Sequence, residues 1–139
     1  MHRHRRCTQL LQPYTDVHGY EEPVCPGQPR LAEAGLEASF GDAMKAAYAS
    51  YHRIRDSGVP EAAESAQYCL PLATRRRSMF KMDFAEALYI AELRSGVAGH
   101  FSYRRVAWEM YQTVAKKHPS LAGYFRIEDV NLPIDLLRR

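Results

Sequence analysis

Apolar side chains recur at alternating steps of three and four through the stretch LAEAGLEASFGDAMKAAYASYHRIRDSG, where Leu36, Phe40, Met44, Ala47, Tyr51 and Ile54 share one face. That period predicts an α-helix with one buried side, and Gly58 is placed to stop it. A second pattern opens at Asp83, with Glu86 three residues on, a variant of the capping box that starts a helix. Phe84, Ala87, Leu88 and Ala91 form its stripe, and Ile90 and Leu93 widen it, so this helix is expected to be buried on much of its circumference. Ser95 and Gly96 end it. From Gly99 a third helix is predicted with Tyr103, Val106, Ala107, Met110 and Val114 facing inward. Lys116, Lys117 and His118 lie at its negative end and Pro119 follows, as helix termini favour.

Between these helices the pattern changes. Pro13, Gly19, Pro23, Pro26, Gly27 and Pro29 mark residues 1 to 30 as turns and loops, with a short strand around Thr8 to Leu11. Pro60 followed by EAAESAQY suits the first turn of a short helix. In YCLPLATRRRSMFKM, Pro71 excludes a helix interior, and Leu70, Leu72, Met79, Phe80 and Met82 predict an extended, partly buried strand or loop crossing the core. The tail FRIEDVNLPIDLLRR reads as a short extended piece. The expected fold class is α+β with helices dominant, in a single domain over residues 1–139.

Composition narrows the function. The chain is 46% apolar and 25% charged, and no segment is long and uncharged enough to span a bilayer, which gives the expectation of a cytoplasmic globular protein. Cys7, Cys25 and Cys69 are odd in number and lack a C-x-x-C, so reduced thiols are expected. The six His are scattered, and no metal centre is expected. A net charge of +3 is low for a general polyanion binder, so a nucleic-acid interface built from Arg3 to Arg6, Arg75 to Arg77 and Arg104 with Arg105, with Tyr103 and Trp108 nearby for stacking, is kept only as a remote alternative. The three clusters either converge on one anionic ligand or form solvated surface.

The run from Leu70 to Ala107 resembles the C-terminal half of the flavin-dependent thymidylate synthases. Leu70, Pro71 and Leu72 match that family's L-P-L, Arg77 its T-R-F arginine, and Leu93 with Arg94 the L-R that closes a buried helix. Arg3, His4 and Arg5 match the R-H-R that opens its diagnostic motif. The resemblance implies a partial form of that fold. It also implies reductive methylation of dUMP to dTMP, with methylene-tetrahydrofolate, reduced FAD and NADPH, in a homo-oligomer that is typically a homotetramer. By the same resemblance Arg3, His4, Arg5 and Asp83 sit at flavin positions, and Arg3, Gln67 and Arg94 at nucleotide positions. Arg94 is the catalytic candidate, because a fixed positive charge against the uracil favours the anionic base. As a residue of a last helical turn, Arg94 equally suits C-terminal helix electrostatics.

The motif then departs from the family. Leu10 and Leu11 replace Asn and Glu, Pro13 replaces a Ser, and Gln67 replaces an Arg that holds nucleotide. Asp83, Ala85 and Tyr89 replace Asn, Arg and Asn at flavin positions. Each polar partner lost to a ligand costs it about 1–3 kcal/mol. The segment that precedes R-H-R in the family has no counterpart here, which suggests a truncated gene, half of a tandem protein, or a domain completed by association. The expectation is a degenerate synthase with weak or lost activity, and the alternative is a non-catalytic scaffold or nucleotide-binding half of a larger assembly.

Overall fold

The first helix begins later than its apolar pattern does. In the computed structural model, which describes residues 6–133, Leu31 to Gly35 form turns in which Gly35 takes a φ of +70°, a conformation that side chains with a Cβ resist. The Leu36 N–H donates to the Leu31 carbonyl, and α1 runs from Glu37 to Arg55. Leu36 is therefore an exposed N-cap instead of the first rung of the buried stripe. The remaining rungs hold: Met44 and Tyr51 are buried, and Phe40, Ala47 and Ile54 are half-buried. At the far end the Arg55 guanidinium hydrogen-bonds Asp56 and holds that carboxyl below the usual carboxylate range.

The elements in chain order are β1 (Thr8–Leu11), α1, α2 (Ala62–Ala66), β2 (Ser78–Lys81), α3 (Phe84–Ser95), α4 (Phe101–Lys117) and α5 (Pro119–Ala122), with a 3-10 turn at Gln67–Cys69. This is an α+β chain in which helices dominate, with a two-stranded sheet of β1 and β2. It forms two compact units, one of Leu10–Pro23 with Pro29–Met79, the other of residues 6–9, Val24–Gln28 and residues 80–133.

In the first unit the Tyr20 ring meets Phe40 edge-on at 5.7 Å and Tyr48 at 6.2 Å, closing one side of α1. Tyr20 also bridges Thr74, and the flanking bonds Glu21 N–H to Ala73 O and Arg75 N–H to Gly19 O tie the Asp16–Glu21 turn to the chain after L-P-L. His52 reaches the Asp16 carboxylate at 2.7 Å, and Ala62 and Ala66 of α2 are buried. The segment after Pro71 reaches the expected strand at Ser78–Lys81, with Leu70, Phe80 and Met82 partly buried, but Leu72 is fully exposed and Met79 is exposed too. The physical reason is the turn closed by Thr74 N–H to Pro71 O, which buries Thr74 and turns Leu72 outward.

In the second unit α3 opens as its sequence predicts, with the Asp83 carboxylate accepting the Glu86 N–H at 2.8 Å. Ile90, Ala91 and Ser95 are fully buried, whereas Leu93 is exposed. The α4 stripe is rotated from the expected one. Arg104 (1% exposed) and Ala107 are buried, while Tyr103 and Val106, expected inside, are 37% and 50% exposed. Trp108 and Tyr111 continue the inner face, and Tyr111 and Phe84 pack against Phe125 at 5.2 and 5.5 Å.

Candidate functional site

Two places bring sequence-predicted residues into defined geometry, one in each unit. In the first, Pro71 prevents the 3-10 turn Gln67–Cys69 from continuing as helix, so the chain leaves α2 extended at Leu70. A cleft of about 650 Å³ opens there, lined by Gln67, Leu70, Pro71 and Leu72 on one strand of chain, by Glu61, Glu64, Ser65 and Tyr68 from α2 and its flanks, and by Tyr14. Gln67 is anchored: its Oε1 accepts the Tyr14 N–H at 3.0 Å, which leaves its amide NH2 as the available donor. Among the described residues no Arg or Lys belongs to the lining. Arg76 lies over the Tyr14 ring at 4.3 Å and donates its Nε–H to the Gln12 carbonyl. Glu61 enters the cleft from a strained backbone, at φ +62°, and among the described residues it is the non-glycine residue in that region.

In the second unit the end of α3 is built around two arginines with separate contacts. Arg104 donates Nε–H to the Ser95 carbonyl at 2.7 Å and Nη2–H to the Asp129 carbonyl, satisfying a helix-terminal acceptor from inside the fold. Its Nη1 is buried without a hydrogen-bond partner. The chain after α5 is clipped to the same helix end, with Arg126 N–H on Glu92, Glu128 N–H on the Ser95 hydroxyl, and Val97 N–H on the Glu128 carboxylate. Arg94, one residue before Ser95, has its guanidinium 5.6 Å from the centroid of the Tyr103 ring. A buried cap on the Ser95 carbonyl is thus supplied by Arg104, from the following helix.

Asp83 and Arg94 stand at opposite ends of α3, about 16 Å apart along its axis. Gln67 lies in the other unit. Arg3, His4 and Arg5 lie outside the described residues. Ala85, at a flavin position by resemblance, is exposed and offers no side-chain donor. Asp83 contributes carboxylate oxygens, one of them engaged as the helix cap. The described residues of the flavin set therefore present acceptors and no cation, which does not fit a group that carries phosphates.

Sequence reasoning missed Arg104 as a buried residue and Glu61, Glu64 and Tyr68 as cleft residues. A signal for Arg104 exists: it falls on the α4 face shared by Ala107, Trp108 and Tyr111, at steps of three and four. The cleft residues carry no pattern beyond their nearness to L-P-L. Among the described residues no group of three His, Cys, Asp or Glu is placed to hold a metal ion, and no helix is long and apolar enough to cross a membrane.

Residues 1–120 match the family described as thymidylate synthase complementing protein. A UPF0159 protein of Thermoplasma acidophilum is 35% identical over 130 residues, which cover 93% of this chain and 24% of that protein. A UPF0159 protein of Chlamydia pneumoniae is 35% identical over 138 residues, covering 99% of this chain and 24% of the relative. The flavin-dependent thymidylate synthase of Saccharolobus solfataricus is 30% identical over 124 residues, 88% of this chain and 46% of the synthase. The chain spans about a quarter of the length of the first two relatives and about half of the third.

Proposed function

Because the chain belongs to the thymidylate synthase complementing protein family, we propose that it is a degenerate flavin-dependent thymidylate synthase, with weak or lost conversion of dUMP to dTMP. The observation that carries this reading is the setting of Gln67. By resemblance it stands at a nucleotide-holding position, yet it is anchored to Tyr14 N–H in a cleft whose ionisable lining, among the described residues, includes Glu61 and Glu64 and no cation. Carboxylates there oppose a phosphate dianion, and a neutral amide does not replace a guanidinium's bidentate grip.

Arg94 is the residue that keeps a family role, a fixed positive charge for the uracil ring. Tyr103 holds its guanidinium from one side, and Arg104 fixes the backbone next to it. Arg3, His4 and Arg5 would supply the cationic contacts to flavin and nucleotide that the described residues do not. Flavin dependence enters this reading through the relatives named flavin-dependent thymidylate synthase, and methylene-tetrahydrofolate and NADPH are the further reactants that the sequence resemblance implies. Asp83 and Ala85 do not fit a phosphate-bearing flavin, which supports weak or lost activity.

The test is an FAD titration followed by visible absorption, with tritium release from labelled deoxyuridylate as the activity readout. The expected result is little retained flavin and little or no release. A protein that holds flavin stoichiometrically and releases tritium at a steady rate overturns the degenerate reading.

A second reading is favoured by length: the UPF0159 relatives are about four times as long as the matched region, which supports a role as one part of a larger assembly. On that reading the chain is a non-catalytic scaffold or nucleotide-binding half, and it associates with further copies.

A further inference from the structure

We propose that the cleft beside Gln67 binds an unphosphorylated nucleoside whose base carries an exocyclic amino group. This deepens the proposed function, and it rests on that reading only for the idea that Gln67 occupies a nucleoside-facing position.

The chemistry of the lining selects the ligand. Glu61 and Glu64 only accept hydrogen bonds when ionised, Ser65 both donates and accepts, and Gln67 has its Oε1 on Tyr14 N–H and its amide NH2 left to donate. A complementary edge presents donors beside an acceptor, which is the pattern of an amino group next to a ring nitrogen. Uracil, with a carbonyl in place of the amino group and an N–H in place of the ring nitrogen, reverses that pattern.

Charge selects against the phosphate. Among the described residues the lining holds two carboxylates and no cation, and Arg76, the cation that touches it through Tyr14, is stacked on that ring and bonded to Gln12. Shape and exposure favour a flat ring. A volume of about 650 Å³ lies within the range that takes a small ligand. Tyr68 is 95% exposed and Leu72 fully so, two large apolar surfaces that a planar ligand would remove from water. The backbone adds a further observation, because Glu61 keeps a carboxylate at a left-handed position where glycine is at ease.

The experiment is a nuclear magnetic resonance titration of the full chain with cytidine, CMP and uridine as probes, reading the backbone amides around the cleft. Cytidine is expected to shift Glu61, Glu64, Gln67 and Tyr68 saturably, with CMP and uridine at least tenfold weaker. Glu64→Gln should shrink the cytidine-to-CMP ratio, and Gln67→Arg should reverse it. Both positions are partly or fully exposed, so the fold should tolerate either change. CMP binding as tightly as cytidine overturns the proposal, as does the absence of any saturable shift with millimolar cytidine or saturable shifts confined to other surfaces. Turnover is read separately. Cytidine binding together with tritium release keeps this proposal and removes the degenerate reading, whereas neither binding nor release removes this proposal alone.

Discussion

Arg104 is held by two backbone carbonyls, with one nitrogen left over inside the protein. Such a residue is costly to bury and more costly to truncate, because removal strands the Ser95 carbonyl and leaves the volume of a long side chain empty. Arg104→Ala is expected to lower stability by about 3 kcal/mol in urea unfolding, with Arg104→Met recovering part of the loss by refilling the space. A cost below about 1 kcal/mol, the size of a single ordinary hydrogen bond, would contradict the buried role. Glu61 makes the opposite case. Glu61→Gly should stabilise the chain by about 1 kcal/mol, since the relief of left-handed strain exceeds the added unfolded-state entropy, and it should weaken cytidine binding in the same titration. Neither residue was legible as it stands in the structure. An apolar pattern assigns the inner face by hydrophobicity, so it placed Tyr103 and Val106 inside and passed over a guanidinium that α3 needs as a cap. A left-handed φ at a glutamate leaves no mark in the sequence.

At the scale of elements the helices were readable where their own local chemistry fixes them. Asp83 and Glu86 gave the start of α3, and the stripe from Phe40 to Ile54 gave the buried side of α1. Leu72 was misread because an alternation of apolar residues says nothing about a turn such as the one closed from Thr74 to Pro71, whereas the extended course at Ser78–Lys81 was readable. The connection between α3 and α4 makes a prediction of its own. A Cβ on Gly99 would lie 2.6 Å from Tyr103 Cε2, 2.9 Å from its hydroxyl and 3.0 Å from Arg104 Cγ. Half-exposed Tyr103 can swing away, while Arg104 is locked by its carbonyls, so Gly99→Ala should displace the tyrosine ring and keep the helix. The expected cost is about 1–2 kcal/mol in thermal unfolding, with loss of ring-current shifts on the Arg94 side chain. Unchanged Arg94 shifts would show that Tyr103 does not hold it. Asp83→Ala is a simpler case: loss of the N-cap should cost about 1 kcal/mol, and Asp83→Asn much less, since asparagine caps equally well.

For the whole molecule the family was legible in the sequence, and the arrangement of the candidate site residues was not. The order L-P-L, then Arg77, then Leu93 with Arg94 identified the family, yet Gln67 and Arg94 fall in different units, and sequence spacing carries no information about what surrounds each. The surface of the second unit leads to the last prediction. Tyr89 and Leu93 are one helical turn apart on α3 and both about half exposed, and Val97 and Val106 expose further apolar area in the same unit. Apolar surface spaced along a helix face favours association, because covering it releases water at roughly 25 cal/mol per Å². The protein is therefore expected to self-associate in sedimentation velocity, with the weight-average coefficient rising over the micromolar range. Leu93→Asp, placed on an exposed position, should leave the unfolding midpoint within about 0.5 kcal/mol of the parent while weakening association at least tenfold. A parent that sediments as a monomer throughout that range excludes self-association, and it would leave this face to be covered by other parts of a longer protein, as the length of the UPF0159 relatives allows.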